Sequence, residues 1–220
     1  NFWSAGAMWD ITKERFMKDV KWMNKLQLKA SYGSVGNSSG LPPYMAMGLV
    51  GIGPLYNGVG GTAVANPANP DLTWEVVKST NIAINTRMFN RVNLDVELYN
   101  RDTEDMLMDI PYSYTTGFSG GWGNVASMRN KGVDVTANFE ILQDFHDIDW
   151  NISANLNYNE NEITSLFNGM DEYVLANTGL KLQVGKPYGE YFYTRWAGVD
   201  PRDGYNMWYD KSGNLTKVFS

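Results

Sequence analysis

A strict alternation of apolar and polar residues limits the possible folds of this sequence more than any other feature. In residues 133–141 every odd position is apolar, and in residues 150–158 every even position is apolar. Clear or weaker forms of this two-residue period occur in five further segments: 2–11, 26–32, 76–88, 92–99 and 189–199. Because successive side chains of a β-strand point to opposite faces, the pattern predicts about seven strands with one apolar and one polar face.

The connections between these predicted strands differ greatly in length. The links near Asn90 and His146 are short, whereas those over 34–73, 103–130 and 160–188 are long. A compact soluble domain seldom has loops above about 15 residues. Transmembrane β-barrels, in contrast, have short turns on one side and long loops on the other. We therefore predict an all-β, antiparallel transmembrane barrel with the three long connections on its outer side.

Composition excludes several classes of function. With 24 acidic and 18 basic residues the formal charge is −6, which does not suit binding to a nucleic acid backbone. The chain has no cysteine and a single histidine, His146, so disulfides, thiol catalysis and multi-histidine metal sites are excluded. We predict no metal site and no cofactor. No apolar run reaches the roughly 18 residues of a transmembrane helix.

The two faces of the predicted strands suit two different solvents. The polar face of 150–159 is rich in asparagine rather than lysine or glutamate, which suits a hydrated lumen. We expect the apolar positions to face lipid, namely Val133, Val135, Ala137, Phe139, Ile152, Ala154 and Leu156. We expect the polar positions to face the lumen, namely Asp95, Glu97, Asp134, Asn138, Glu140, Asn151, Ser153 and Asn155.

Aromatic residues in the long connections are the predicted binding residues. They lie beside glycine, proline or serine, and the first long connection has no charged residue from Leu41 to Pro70. Sugar rings stack on aromatic planes, and glycine lets a backbone approach a ligand closely. The candidates are Tyr44, Tyr56, Tyr112, Tyr114, Phe118, Trp122 and Tyr173. The alternative is that these side chains only pack the loops against one another.

Acidic residues cluster in two parts of the chain, where they could in principle serve catalysis or bind a cation. Asp102, Glu104 and Asp105 follow a strand, but sequence spacing does not establish the carboxylate separation of about 5 to 9 Å that glycoside hydrolysis requires. The segments 200–204 and 210–214 are rich in aspartate and glycine, yet they lack the bidentate glutamate of a calcium loop. We expect turn formation there and no enzymatic activity.

Several short motifs follow one another along the chain: LQLKASYGSVGN at 26–37, NPDLTWE at 69–75, YNRDT at 99–103, TGF at 116–118, NKGVD at 130–134 and GVDPRDG at 198–204. In this order they resemble the SusC/RagA-type TonB-dependent outer-membrane transporters. Asp134 replaces a glutamate of the family pattern, and Asp203 replaces a threonine. Each motif alone is weak, but together they extend over nearly the whole chain.

The resemblance implies a barrel of about 22 strands around an N-terminal plug. Residues 1–220 would supply about seven strands of its wall, without the signal peptide, the plug and the last strands. Members of the family import glycans or oligopeptides across the bacterial outer membrane of Bacteroidetes. They act with a SusD-like surface lipoprotein that covers the mouth as a lid, and with TonB, which contacts the missing N-terminal part.

A soluble β-sandwich that binds carbohydrate or serves in adhesion is the alternative reading of the same alternation. An antiparallel sheet in water also has one polar and one apolar face. The two hypotheses differ in what covers the apolar face, which is lipid in the first and a second sheet in the other.

Overall fold

The computed structural model describes residues 2–39, 41–146, 148–175 and 178–219, without the side chains of 54, 56, 144 and 145. The side chain of Tyr56 therefore lies outside the described residues. The strands are β1 (Trp3–Asp10), β2 (Met23–Asn37), β3 (Leu49–Tyr56), β4 (Val59–Asn66), β5 (Glu75–Met88), β6 (Val92–Pro111), β7 (Gly120–Phe145), β8 (Ile148–Ser165), β9 (Glu172–Leu175), β10 (Leu180–Gln183), β11 (Glu190–Tyr191), β12 (Trp196–Val199), β13 (Asn206–Tyr209) and β14 (Leu215–Thr216). Short 3₁₀ turns lie at Ile11–Lys13, Arg15–Met17, Tyr114–Thr116 and Phe167–Gly169.

Six long strands form the main sheet, in the order β1-β2-β5-β6-β7-β8 with every pair antiparallel. The predicted all-β antiparallel class is confirmed. The predicted strand over 189–199 does not join this sheet, because β11 pairs with β10 and β12 pairs with β13 in two small separate sheets. Three consecutive aromatic residues at 191–193 interrupt the alternation, and Gly198 has a φ of 103° that breaks the strand register.

The long connections contain more strand than the sequence predicted. In the predicted loop 103–130, β6 continues to Pro111 and β7 begins at Gly120, so only 112–119 connect them. The first long connection contains the β3–β4 hairpin, and the third contains the end of β8 and the β9–β10 hairpin. The extensions of β6 and β7 were missed because the two-residue period breaks there. The pairing of the two strands shifts between Thr103 and Leu107, Asp105 has a positive φ, and the residues at 106–108 are all apolar.

The strand order puts all three long connections at one end of the sheet. The connections 38–74, 112–119 and 166–188 follow β2, β6 and β8, which run in the same direction. The other end carries 11–22, 89–91 and the β7–β8 turn. Among the described residues, no helix has the length and apolar character that crossing a membrane requires.

A small buried cluster holds the third long connection against the sheet. Leu182 of β10, 1% exposed, packs with Ala126, Ile163 and Leu166. The backbone that follows β10 also covers part of the free edge of β8. There the Ile163 N–H donates to the Lys186 carbonyl at 2.9 Å, and the Gly185 N–H donates to the Ile163 carbonyl at 2.8 Å.

Candidate functional site

The register of the main sheet gathers the alternating apolar residues on a single face. Val135, for example, lies opposite Val96 on one neighbour and Leu156 on the other, and Ile84 continues the same row. Many of these side chains are exposed in this chain, Leu156 at 63%. An apolar face of this extent needs an apolar covering, since monomers rarely leave more than a few hundred Å² of contiguous apolar surface exposed to water.

This apolar band crosses the sheet at a slant. On β1 the band covers residues 3–9, so its middle is at Gly6. On β8 the band covers residues 150–158, so its middle is at Ala154. The register row through Gly6 reaches Asn159 on β8, which is five residues from Ala154. Five residues correspond to about 17 Å along a strand, and five strand-to-strand steps to about 24 Å across the sheet. The strands are therefore tilted by about 35° from the normal of the band, within the range of transmembrane barrels.

Ion pairs border the band at the end with the long connections. Lys131 and Glu160 lie opposite each other on the same face as Val133 and Tyr158, two residues further toward that end, and form an ion pair of 3.3 Å. The next rows contain two further pairs, Arg129–Asp102 at 2.6 Å and Lys78–Glu104 at 2.5 Å. The carboxylates of Asp102 and Glu104, considered above for catalysis, are thus each held by a cation.

Aromatic side chains lie at both ends of the apolar face. Trp3 and Tyr32, on neighbouring strands, have ring centroids 5.4 Å apart at the end with the long connections. At the opposite end Trp22 stacks on Phe89 at 5.7 Å. Transmembrane barrels have such aromatic girdles where their surface meets the two membrane interfaces.

The opposite face of the sheet is polar, and all eight of the polar positions named above share it. Asp95, Asp134 and Asn155 occur in adjacent register rows that run from β6 to β8. Asn85 donates to Asp95 at 2.6 Å, and Asn157 donates to Asp134. Arg87 pairs with Glu140 at 3.4 Å beside a polar recess of about 460 Å³. These hydrogen bonds and the ion pair orient the polar side chains, and the face remains polar.

One cross-strand contact on the polar face was not anticipated from the sequence. The Tyr99 hydroxyl donates to Asn159 at 2.9 Å across Gly132, which pairs with both residues. A Cβ on Gly132 would lie 2.6 Å from the Tyr99 hydroxyl oxygen and 2.2 Å from the Tyr158 carbonyl oxygen. Glycine at this position therefore allows the tyrosine ring to bridge two strands. Only the register reveals this arrangement, because the residues are far apart in sequence.

The predicted loop aromatics have different environments. Tyr114 and Tyr44 are the most exposed, at 86% and 72%. Tyr112 packs over Gly121, and Tyr173 packs edge-on against Phe167 with centroids 4.9 Å apart. The remaining two described candidates, Phe118 and Trp122, are partly buried.

Hydrogen bonds bring the first long connection onto the extended part of β7. The Asn69 side chain donates to the Trp122 carbonyl at 2.9 Å, and the Thr73 N–H donates to Asn124 Oδ1 at 2.8 Å. Asn69 and Thr73 belong to the NPDLTWE segment. This segment thus fastens the first connection to the strand that carries Trp122.

Comparison with known proteins identifies the family. A family described as "TonB dependent receptor-like, beta-barrel" matches residues 1–218. The chain is 31% identical over 220 residues to TonB-dependent receptor P39 of Formosa agariphila, which covers 100% of this chain and 21% of that protein. The chain belongs to the TonB-dependent receptor β-barrel family. The resemblance to SusC/RagA-type proteins is confirmed, and the alternative of a soluble β-sandwich is wrong.

A solved structure and a further curated relative agree with this assignment. The chain superposes on the RagAB peptide transporter with a TM-score of 0.85 and 36% identity, over 100% of this chain and 25% of that one. It is also 26% identical over 237 residues to SusC of Bacteroides thetaiotaomicron, which covers 98% of this chain and 23% of that protein. The chain thus spans about a fifth of the length of the curated receptors that it matches.

A separate hairpin unit of this receptor chain is held by one lysine. Lys217 pairs with Asp200 at 2.7 Å and also with Asp203. The hydrogen bond from Lys217 lowers the pKa of Asp200, and the bond to Asp200 raises the pKa of Lys217. In the second acidic segment, Asp210 Oδ1 accepts backbone N–H groups of Ser212 and Asn214 at 2.9 and 2.8 Å. These carboxylates close turns, as the sequence predicted.

Proposed function

We propose that residues 1–220 are part of the wall of a large plugged barrel of about 22 strands in the bacterial outer membrane. Six strands are fewer than the eight or so of the smallest closed barrel. The outer edge of β1 has no strand partner among the described residues. The signal peptide, the plug and the last strands belong to the rest of a longer protein, consistent with the fraction of each relative that this chain matches.

The slanted apolar band is the observation that carries this proposal. Its length on β8, nine residues from Trp150 to Tyr158, is about 27 Å along the strand and about 22 Å along the membrane normal at a tilt of 35°. This is close to the apolar band of about 25 Å in outer-membrane barrels. The apolar face then contacts lipid. The lumen is lined by the opposite face, including Asp95, Glu97, Asp134, Asn138, Glu140, Asn151, Ser153 and Asn155.

The function of the complete protein is active import of glycans or oligopeptides, without an enzymatic step. A SusD-like lipoprotein closes the outer mouth, and TonB supplies energy through the N-terminal part. The names of two similar proteins support parts of this proposal. TonB-dependent receptor SusC supports the use of TonB, and the RagAB peptide transporter supports transport of a peptide. The three long connections lie at one end of the sheet, where the mouth would be.

Within this mouth, the connection between β6 and β7 has the best position to contact cargo or lid. Tyr114 projects into solvent, and Trp122 lies on the strand that also anchors the first long connection through Asn69. We expect replacement of both rings by alanine to weaken uptake or lid binding, because stacking is lost with the ring.

The test is a double Tyr114→Ala, Trp122→Ala variant of the full-length protein, produced in a strain that lacks the native gene. Uptake is measured with labelled maltoheptaose, tetragalacturonate and a casein peptide digest, and co-purification of the lid is measured in parallel. The amount of protein in outer-membrane fractions is the control for assembly. Phe16→Ala is the matched aromatic control, since Phe16 is 66% exposed at the opposite end of the sheet. Normal uptake and normal lid binding by the double variant would show that these rings only pack.

A further inference from the structure

A groove in the last part of the chain combines exposed aromatic rings with cations. It has a volume of about 410 Å³ and lies between the segment 192–195 and the turn that follows β13. Phe192, Tyr193 and Arg195 line one side, and Tyr209 and Lys211 line the other. Its size is within the range of small-ligand sites.

The two cations of the groove are available for a ligand. Neither Arg195 nor Lys211 forms an ion pair with a carboxylate in the described part of the chain. The Arg195 guanidinium lies over the Tyr209 ring at 5.1 Å, which orients it without neutralising its charge. The Asp210 carboxylate also lines the groove, but its Oδ1 accepts backbone N–H groups of its own turn. Two cations against this one carboxylate leave the groove with a formal charge of +1.

The segment that carries Phe192 and Tyr193 is held against the residues that precede β10. The Tyr193 hydroxyl donates to the Thr178 carbonyl at 3.3 Å, and its ring lies against Gly179. The Phe192 N–H donates to the Gly179 carbonyl at 2.8 Å. Both rings nevertheless remain more than half exposed. Exposed rings held by their surroundings bind a flat partner without a large loss of side-chain entropy.

We propose that this groove binds an acidic glycan, with a sugar ring on the aromatic side and its carboxylate on Arg195 and Lys211. A guanidinium presents two parallel N–H donors that match a carboxylate. Each unit of an acidic glycan has a ring, which matches the aromatic side chains of the groove, and a carboxylate, which matches its cations. A peptide without acidic side chains has a carboxylate only at its C-terminus. This inference rests on the proposed import function, because it names the chemical class of the cargo.

The groove lies near the proposed mouth of the barrel. Lys181 of β10 lies over the Phe192 ring at 5.4 Å, and β10 is packed onto the main sheet through Leu182. Lys181 already forms an ion pair with Glu172 at 2.5 Å. Arg195 and Lys211 are therefore the cations that define the specificity of the groove.

Calorimetry with the purified full-length protein in detergent tests this assignment. The probe is tetragalacturonate, and the neutral control of equal length is cellotetraose. We expect tetragalacturonate to bind at least tenfold more tightly at low salt, and we expect Arg195→Gln to remove most of that difference. Arg195→Lys should restore only part of it, because the charge returns without the paired donors. Arg202→Gln is the matched control, since Arg202 is exposed and lies outside the groove.

Equal affinity for the acidic and neutral probes would overturn the inference, as would an Arg195→Gln variant with unchanged tetragalacturonate affinity. Competition by tetra-alanine that is lost in Arg195→Gln would identify a peptide site instead and would also overturn it. The uptake assay separates this failure from a failure of the import proposal. If tetragalacturonate does not bind but maltoheptaose or peptides still enter cells, the groove assignment is wrong and import stands.

Discussion

An arginine at the centre of the apolar band should destabilise the protein far more than the same residue one position further along the strand. Ala137 lies opposite Leu94 and Ala154 and is four residues from each end of the band on β7. Four residues are about 14 Å along the strand, or about 11 Å along the membrane normal at a tilt of 35°. A side chain at Ala137 is therefore near the midplane of a band about 25 Å tall. Arginine at that depth costs about 2 to 4 kcal/mol in outer-membrane barrels.

Asn138 provides the matched control for Ala137→Arg. It lies on the other face of the same strand, opposite Asn93 and Ser153. Arginine there would contact water and polar side chains, so we expect a cost of less than about 1 kcal/mol. The full-length variants would be folded into lipid vesicles, and guanidinium-induced unfolding would be followed by tryptophan emission. Equal loss of unfolding free energy in the two variants would refute the assignment of faces.

Two further predictions concern the polar face and the terminal hairpin. Gly132→Ala should lower the unfolding free energy by about 1 to 3 kcal/mol, because the added Cβ would overlap the Tyr158 carbonyl and displace Tyr99. A thermal unfolding scan measures this loss, and Gly60→Ala is the control because Gly60 has open space around it. The Lys217–Asp200 pair should stabilise the hairpin at neutral pH. Its Asp200 contribution disappears as the pH falls below about 4, through the lowered pKa, and its Lys217 contribution disappears as the pH rises through the raised pKa. Amide exchange in 196–217 at pH 7 and pH 3 measures this change, and a Lys217→Met variant that keeps the full pH difference would contradict it.

The sequence was sufficient to predict the faces of the main sheet. In 133–140 and 151–158 each residue's side is set by the two-residue period alone, and the register aligns these two segments as the pattern requires, up to the shift after Glu140. The period carries no information where a bulge shifts its phase, which is why the extension of β6 to Pro111, beyond the shift between Thr103 and Leu107, was missed. The period also misleads at 191–193, where three aromatic residues follow one another. Aromatic residues favour strands, but three in succession do not alternate with polar residues.

The contacts of the candidate sites depend on pairings that no local pattern records. Arg195 and Tyr209 meet because β12 and β13 form a hairpin, which brings together residues separated by an irregular turn. Tyr99 and Asn159 meet only because β7 lies between their strands with a glycine at the crossing point. The family motifs indicated the location of such segments along the chain, but not which side chains are in contact.

The extension of β7 beyond the apolar band bears on how the proposed acidic ligand would approach the mouth. From Lys131 to Gly120 the strand continues for eleven residues, about 37 Å along its axis and about 30 Å along the membrane normal. At physiological ionic strength the Debye length is about 8 Å. In the proposed orientation, the rim of the wall is therefore almost four screening lengths from the membrane surface. A polyanion that approaches the proposed mouth is therefore screened from the charge of the bilayer.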